Sequence, residues 1–143
     1  MRGGIVVIGF ALMLAACGQP SRSDLANQLR DQYHSMYDKS NKAADAAGAC
    51  NNDLSCIRST FHDTEAAVDS FNQWVSQTNF PSDVKSDVDA LVSANERVLA
   101  AVQAMAVVSD VYTAQTLLVQ SADASSTQMS SVQTLGDDLL KGS

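Results

Sequence analysis

Between residues 24 and 140, apolar side chains return every three or four positions, and short polar or proline-bearing breaks divide the pattern into four blocks. A repeat near 3.6 puts such residues on one face of a helix, whereas a half-buried strand needs alternation at every second residue. No sustained alternation occurs. Four amphipathic blocks with short connections predict an all-α fold, an up-down-up-down four-helix bundle.

The first helix is predicted over 24–47, with Ser23 as N-cap and Gly48 as stop. Leu25, Leu29, Tyr33, Met36, Ser40, Ala43 and Ala47 share one face. Asp24, Asp31, Asp38 and Asp45 fall on the other, and a row of that kind reads as a solvated surface. Asn51-Asn52-Asp53 makes a turn, with Asp53 capping a second helix over 54–77. Its stripe is Leu54, Ile57, Phe61, Val68, Phe71 and Val75, with Thr64 inside it.

Asn79-Phe80-Pro81 breaks the chain again, and Pro81 suits the first turn of a third helix. Val84, Val88, Leu91, Val92, Val98, Leu99, Val102 and Met105 line that helix, interrupted once by Asn95. After a weaker break at Ser109-Asp110, a fourth helix is expected over 110–140. Leu118, Ala122, Ser125, Met129, Val132 and Leu139 share its inner face, and its serine-rich middle predicts the least tight packing.

Arg2 precedes an apolar or small-residue run from Gly3 to Leu14, followed by Leu14-Ala15-Ala16-Cys17. A spanning helix needs about 20 apolar residues, so this run is too short to stay in a bilayer. The series of charge, apolar run and Leu-Ala-Ala-Cys resembles the signal of bacterial lipoproteins. The resemblance implies cleavage before Cys17, a diacylglyceryl thioether on its sulfur and further acylation of the new N-terminus, palmitate being a common chain. An ordinary signal peptide with an incidental Cys17 is the other reading. The implied division is a signal peptide over 1–16, a lipidated cysteine and tether over 17–23, and the bundle over 24–143. The implied address is the extracytoplasmic side of a bacterial membrane. Because Gly18 is not Asp, that address is the outer membrane in a Gram-negative host.

The body, biased to Ala, Ser, Asp and Val and closing on Leu135-Gly136-Asp137-Asp138-Leu139, is similar to helical lipoproteins of actinobacteria; that likeness implies no activity. The chain carries a formal charge of −7. An acidic surface argues against nucleic acid as a partner and against side-chain binding to anionic lipid. The partners expected are the membrane, through lipid on Cys17, and a protein of the cell envelope.

With Cys17 taken by lipid, Cys50 and Cys56 remain as a pair. In an exported protein they are expected to form a structural disulfide, free thiols being the alternative. Their spacing is longer than the Cys-x-x-Cys of redox sites.

Asp31 with His34, and His62 with Glu65, have carboxylate–imidazole spacings that could hold a metal. Helical geometry turns both histidines away from the apolar stripes, so no metal and no cofactor are expected. No acid–base pair, nucleophile motif or phosphate loop is present, and the chain reads as noncatalytic.

Two functions fit. One is an interaction or structural role at the envelope. The other is binding of a small apolar or amphipathic ligand in a cavity beside the fourth helix. Folding the chain back about Asn52, Asn79-Phe80 and Ser109 predicts one buried polar layer of Ser40, Thr64, Asn95 and Ser125. In a purely structural layer, Asn95→Leu is expected to leave stability equal or higher.

Overall fold

The three apolar stripes from the first helix to the third, and a rotated version of the fourth, form the core of an all-α four-helix bundle. The computed structural model describes residues 20–142. Its elements are α1 (Arg22–Gly48), α2 (Leu54–Gln77), a 3₁₀ turn (Ser82–Val84), α3 (Lys85–Ala106) and α4 (Val111–Lys141). Each helix packs on the next, and α1 also packs on α4.

Local chemistry sets the helix ends. Ser21, not Ser23, caps α1. Its hydroxyl accepts from the Asp24 N–H at 3.1 Å, and the Asp24 carboxylate accepts from the Ser21 N–H at 3.2 Å. This reciprocal box with Asp24 at the third helical position draws the predicted tether residues Arg22 and Ser23 into the helix. Asp53 caps α2, accepting from the N–H groups of Ser55 and Cys56. The α1–α2 connection is a tight turn, with the Asp53 N–H on the Cys50 carbonyl at 2.9 Å. Both central residues, Asn51 and Asn52, have positive φ (48° and 65°), a conformation Asn tolerates better than most residues. Cys50 and Cys56 form the disulfide across this turn, with their Cα atoms 5.6 Å apart. Asp110 caps α4 through the Thr113 N–H at 2.8 Å, so the weak break at Ser109-Asp110 does separate two helices.

The core is built from Leu25, Leu29, Tyr33 and Met36 of α1, then Phe61, Val68, Phe71 and Val75 of α2. Leu91, Val98, Val102 and Met105 of α3 join them. In α4 the buried residues are Ala114, Gln128, Val132, Leu135 and Leu139. The predicted face of α4 is corrected accordingly: Leu118 and Met129 are about two-fifths exposed, and Ala122 is exposed. The inner face is turned by roughly 60° from the predicted one, at 100° per residue. A buried Gln128 sits at its centre, where a hydrophobic pattern gives no signal.

Side-chain contacts fix the register. Tyr33 meets Phe71 with ring centroids 5.9 Å apart, which places the first fold at Asn52. Glu65 meets Gln103 at 3.0 Å and Asn72 meets Asn95 at 3.5 Å, which places the second at about Val84. The 3₁₀ turn moves that fold point some four residues beyond Asn79-Phe80. A shifted fold point displaces facing residues by twice as much, about 12 Å here at 1.5 Å per residue. Arg22 closes the end of the bundle where α1 begins, holding the Asp83 carboxylate with its guanidinium and reaching the Asp138 carbonyl at 3.4 Å.

Candidate functional site

The predicted polar layer divides in two. Ser40 and Thr64 stand level, as the fold about Asn52 requires, but they form no network. The Ser40 hydroxyl donates to its own helix at Met36 O, 3.0 Å away, and Thr64 Oγ1 is buried with no hydrogen-bond partner among the described residues. Asn95, fully buried, lies two turns away from them. Its Oδ1 accepts from Gln128 Nε2 at 2.7 Å, and its Nδ2 faces Asn72 Oδ1 at 3.5 Å. The partner from α4 is therefore Gln128 and not the half-buried Ser125, and the partner from α2 is Asn72 and not Thr64. The displaced fold point accounts for the second change and the rotation of α4 for the first. An amide with both a donor and an acceptor at this height could have been sought in Gln128 once the inner face of α4 was known.

The α1–α4 contact is the sparsest of the four between neighbouring helices. A groove of about 520 Å³ opens there to solvent. Ala26, Leu29 and Tyr33 of α1 and Met129, Val132 and Gly136 of α4 make its floor. Arg30, His34, Gln133 and Asp137 stand at its rim. Tyr33 stacks on Tyr37 at 5.8 Å, and its hydroxyl is pushed above the usual tyrosine pKa, first by burial and then by Tyr37. A Cβ built on Gly136 would meet no atom within 4 Å, so the groove floor holds free space at that position.

Comparison with protein-family models, curated proteins and solved structures finds no match for this chain.

The remaining sequence candidates fall as follows. His34 and His62 are exposed, and His62 Nδ1 lies 3.7 Å from the Glu65 carboxylate. No group of His, Cys, Asp and Glu among the described residues could hold a metal. Trp74 stacks on Phe71 at 6.2 Å and meets Phe80 edge-on at 5.9 Å, closing the core near the α2–α3 connection. Cys17 and the signal sequence lie outside the described residues. Among those described, no helix is long and apolar enough to cross a membrane.

Sequence reasoning missed the outer side of α4. Tyr112, Leu118, Val119, Met129 and Leu140 of α4 are exposed large apolar residues, with Val107 just before the helix, and on the other described helices only Tyr37 joins them. Between Val98 and Gly136 the only charged residues are Asp110 and Asp123. That gap was readable in the sequence. It passes unnoticed because a Ser-, Thr- and Gln-rich helix looks adequately polar.

Proposed function

We propose that this chain is a lipid-anchored, noncatalytic interaction protein of a bacterial cell envelope. Lipid on Cys17 holds it on the extracytoplasmic side, and it recognises its partner at the α1–α4 groove. The groove carries this reading: it is an open surface with an apolar floor and a polar rim, at the sparsest of the contacts between neighbouring helices. Helix-in-groove recognition uses surfaces of this kind. The anchor fits the position of the body. α1 starts at Arg22, so lipid on Cys17 would lie within about 14 Å of the Ser21 cap at full chain extension. The bundle end tied by Arg22, Asp83 and Asp138 would then face the bilayer.

Detergent-phase partition tests the anchor. The native chain should enter the detergent phase, and Cys17→Ser should remain aqueous or accumulate as precursor; equal partition of the two removes the anchor. Recovery of bound partners from the native membrane tests the groove. Gly136→Trp, which fills the floor, should lose what the native protein retains.

The apolar floor of the groove favours a second reading: its volume lies within the roughly 300–1,000 Å³ of small-molecule sites, as do those of the other surface hollows, but Leu29, Tyr33, Met129 and Val132 line this one. An amphipathic ligand would lay its apolar part against Tyr33 and Met129. Native mass spectrometry separates the two: a retained small molecule supports the ligand, and a retained protein supports the interaction role.

A further inference from the structure

α4 presents to solvent a stripe unlike any other outer face of the bundle. Starting at Tyr112, alternating steps of three and four residues reach Val119, Ala122, Ser126, Met129 and Gly136 by way of two glutamines, and meet no charge. This is the heptad spacing of helices that pair along their length. Tyr112 is 80% exposed and Val119 72%, so the bundle itself does not use them. The outward side of α1, by contrast, carries Asp24, Asp31, Asp38 and Asp45, all exposed.

A seam with a 3.5-residue period drifts about 20° per heptad around an α-helix. The stripe accordingly winds toward α1 and enters the α1–α4 groove at Met129 and Gly136, both of which line it. Gly is among the poorest residues inside a helix, and no neighbour in the bundle requires it at position 136. A second helix backbone lying close across the stripe would require it.

We propose that α4 pairs with α4 of a second copy of this chain, parallel and side by side, along this uncharged stripe. Charge selects the second copy. Cleavage before Cys17 would remove Arg2 and take each copy from −7 to −8; two copies repel through their acidic faces, and this stripe is where they can meet with the least of that cost. An uncharged face offers nothing to steer a charged foreign partner. Parallel pairing sets each stripe residue opposite its own counterpart, an arrangement that tolerates apolar and small residues and rejects charged ones. The parallel sense rests on the anchor proposed above, since copies held by the same N-terminal lipid in one leaflet stand the same way up. Confinement to that leaflet also raises their effective concentration. The partner recognised at the groove is then, in the first instance, the second copy.

Cysteine crosslinking of the full lipidated chain in phosphatidylcholine vesicles tests the pairing. Val119→Cys and Ser126→Cys should each give a disulfide-linked dimer under mild oxidation. Ser70→Cys, exposed on α2 at about the height of Ser126, should not. Adding Tyr112→Glu and Val119→Glu to Ser126→Cys should abolish the dimer with helical content unchanged. Crosslinking at positions 119 and 126 no greater than at 70, or unaffected by the glutamates, overturns the proposal. So does crosslinking found only between Tyr112→Cys and Gly136→Cys chains in mixture, which means an antiparallel pair. Detergent partition scores the anchor separately. A chain that stays aqueous sinks the anchor; one that partitions but fails to crosslink sinks the pairing.

Discussion

Asn95 and Thr64 interrupt apolar stripes in the same way and are both buried, yet their hydrogen bonding gives them opposite consequences. Asn95 is committed to Gln128, itself buried, so removing one amide strands the other. A buried polar group left without a partner costs about 1–3 kcal/mol, whereas replacing both partners by apolar groups can be neutral or better. Asn95→Leu should therefore destabilise by about that amount in urea unfolding, contrary to the expectation from sequence. The double variant Asn95→Leu/Gln128→Leu should recover the loss, and additive losses in the two single variants and the double would show that the amides do not interact. Thr64 has no partner to strand. Thr64→Val keeps the shape and removes an unsatisfied hydroxyl, so it should raise stability by about 1 kcal/mol. A lower urea midpoint would mean that the hydroxyl is bonded after all. Both residues were recognised in the sequence as polar interruptions. Their roles were not, because a role depends on which residue of the facing helix stands level, and a connection of unknown geometry hides that.

At the scale of elements, legibility followed the concentration of large apolar residues. In α1, α2 and α3 these residues fall on one face, and the predicted stripes face the core, with Leu54, Val88, Val92 and Leu99 half-buried at its edge. In α4 they are divided. Val132, Leu135 and Leu139 turn inward, while Leu118, Val119 and Met129 stay outside, so the pattern averages to a false direction. Capping was readable at Asp53, where one acidic residue precedes one apolar run, and misread by two residues at the start of α1, where Ser21 and Ser23 compete. The Cys50–Cys56 bridge joins the end of α1 to the first turn of α2 and spans a sequence separation of 6. A loop that short restricts the unfolded chain little, by about 2–3 kcal/mol in the chain-entropy account. Reduction should lower the urea midpoint by a corresponding amount and leave far-ultraviolet helical signal largely intact, because the Asn51-Asn52 turn and the Asp53 cap remain. Collapse of helical content on reduction would show that the bridge, and not those local bonds, holds the hairpin. Thiol labelling of the denatured, unreduced chain should find neither cysteine free.

For the molecule as a whole, three carboxylates link stability to acid. Arg22 donates to Asp83, the Thr113 N–H to Asp110 and Lys141 to Asp138, and each contact holds its carboxyl below the usual carboxylate range. A group with a lowered folded pKa binds protons less readily in the folded state than in the unfolded one. Its contribution is present in full above the unfolded value, about 4, and is lost as pH falls through the folded value. Thermal stability should be nearly level from about pH 7 to 5 and fall below about pH 4. Asp83 and Asp110 are exposed and Asp138 is half-buried, which keeps each effect small and sensitive to salt. Asp83 ties two elements: it precedes α3 and its carboxylate holds Arg22 at the start of α1, so its protonation loosens both. The Asp138 carboxylate accepts from Lys141 within α4, and Arg22 reaches the Asp138 backbone carbonyl, which does not titrate. Asp110 acts alone, as the cap of α4 at the opposite end. Asp110→Asn keeps a capping oxygen but removes the titrating group, so it should leave neutral-pH stability almost unchanged and make the acid limb shallower. Asp83→Asn should flatten the limb further while also lowering stability at pH 7, because the bond from Arg22 then loses its charge. A limb that starts well above about pH 5, or that neither variant alters, would place the acid sensitivity outside these caps and ties.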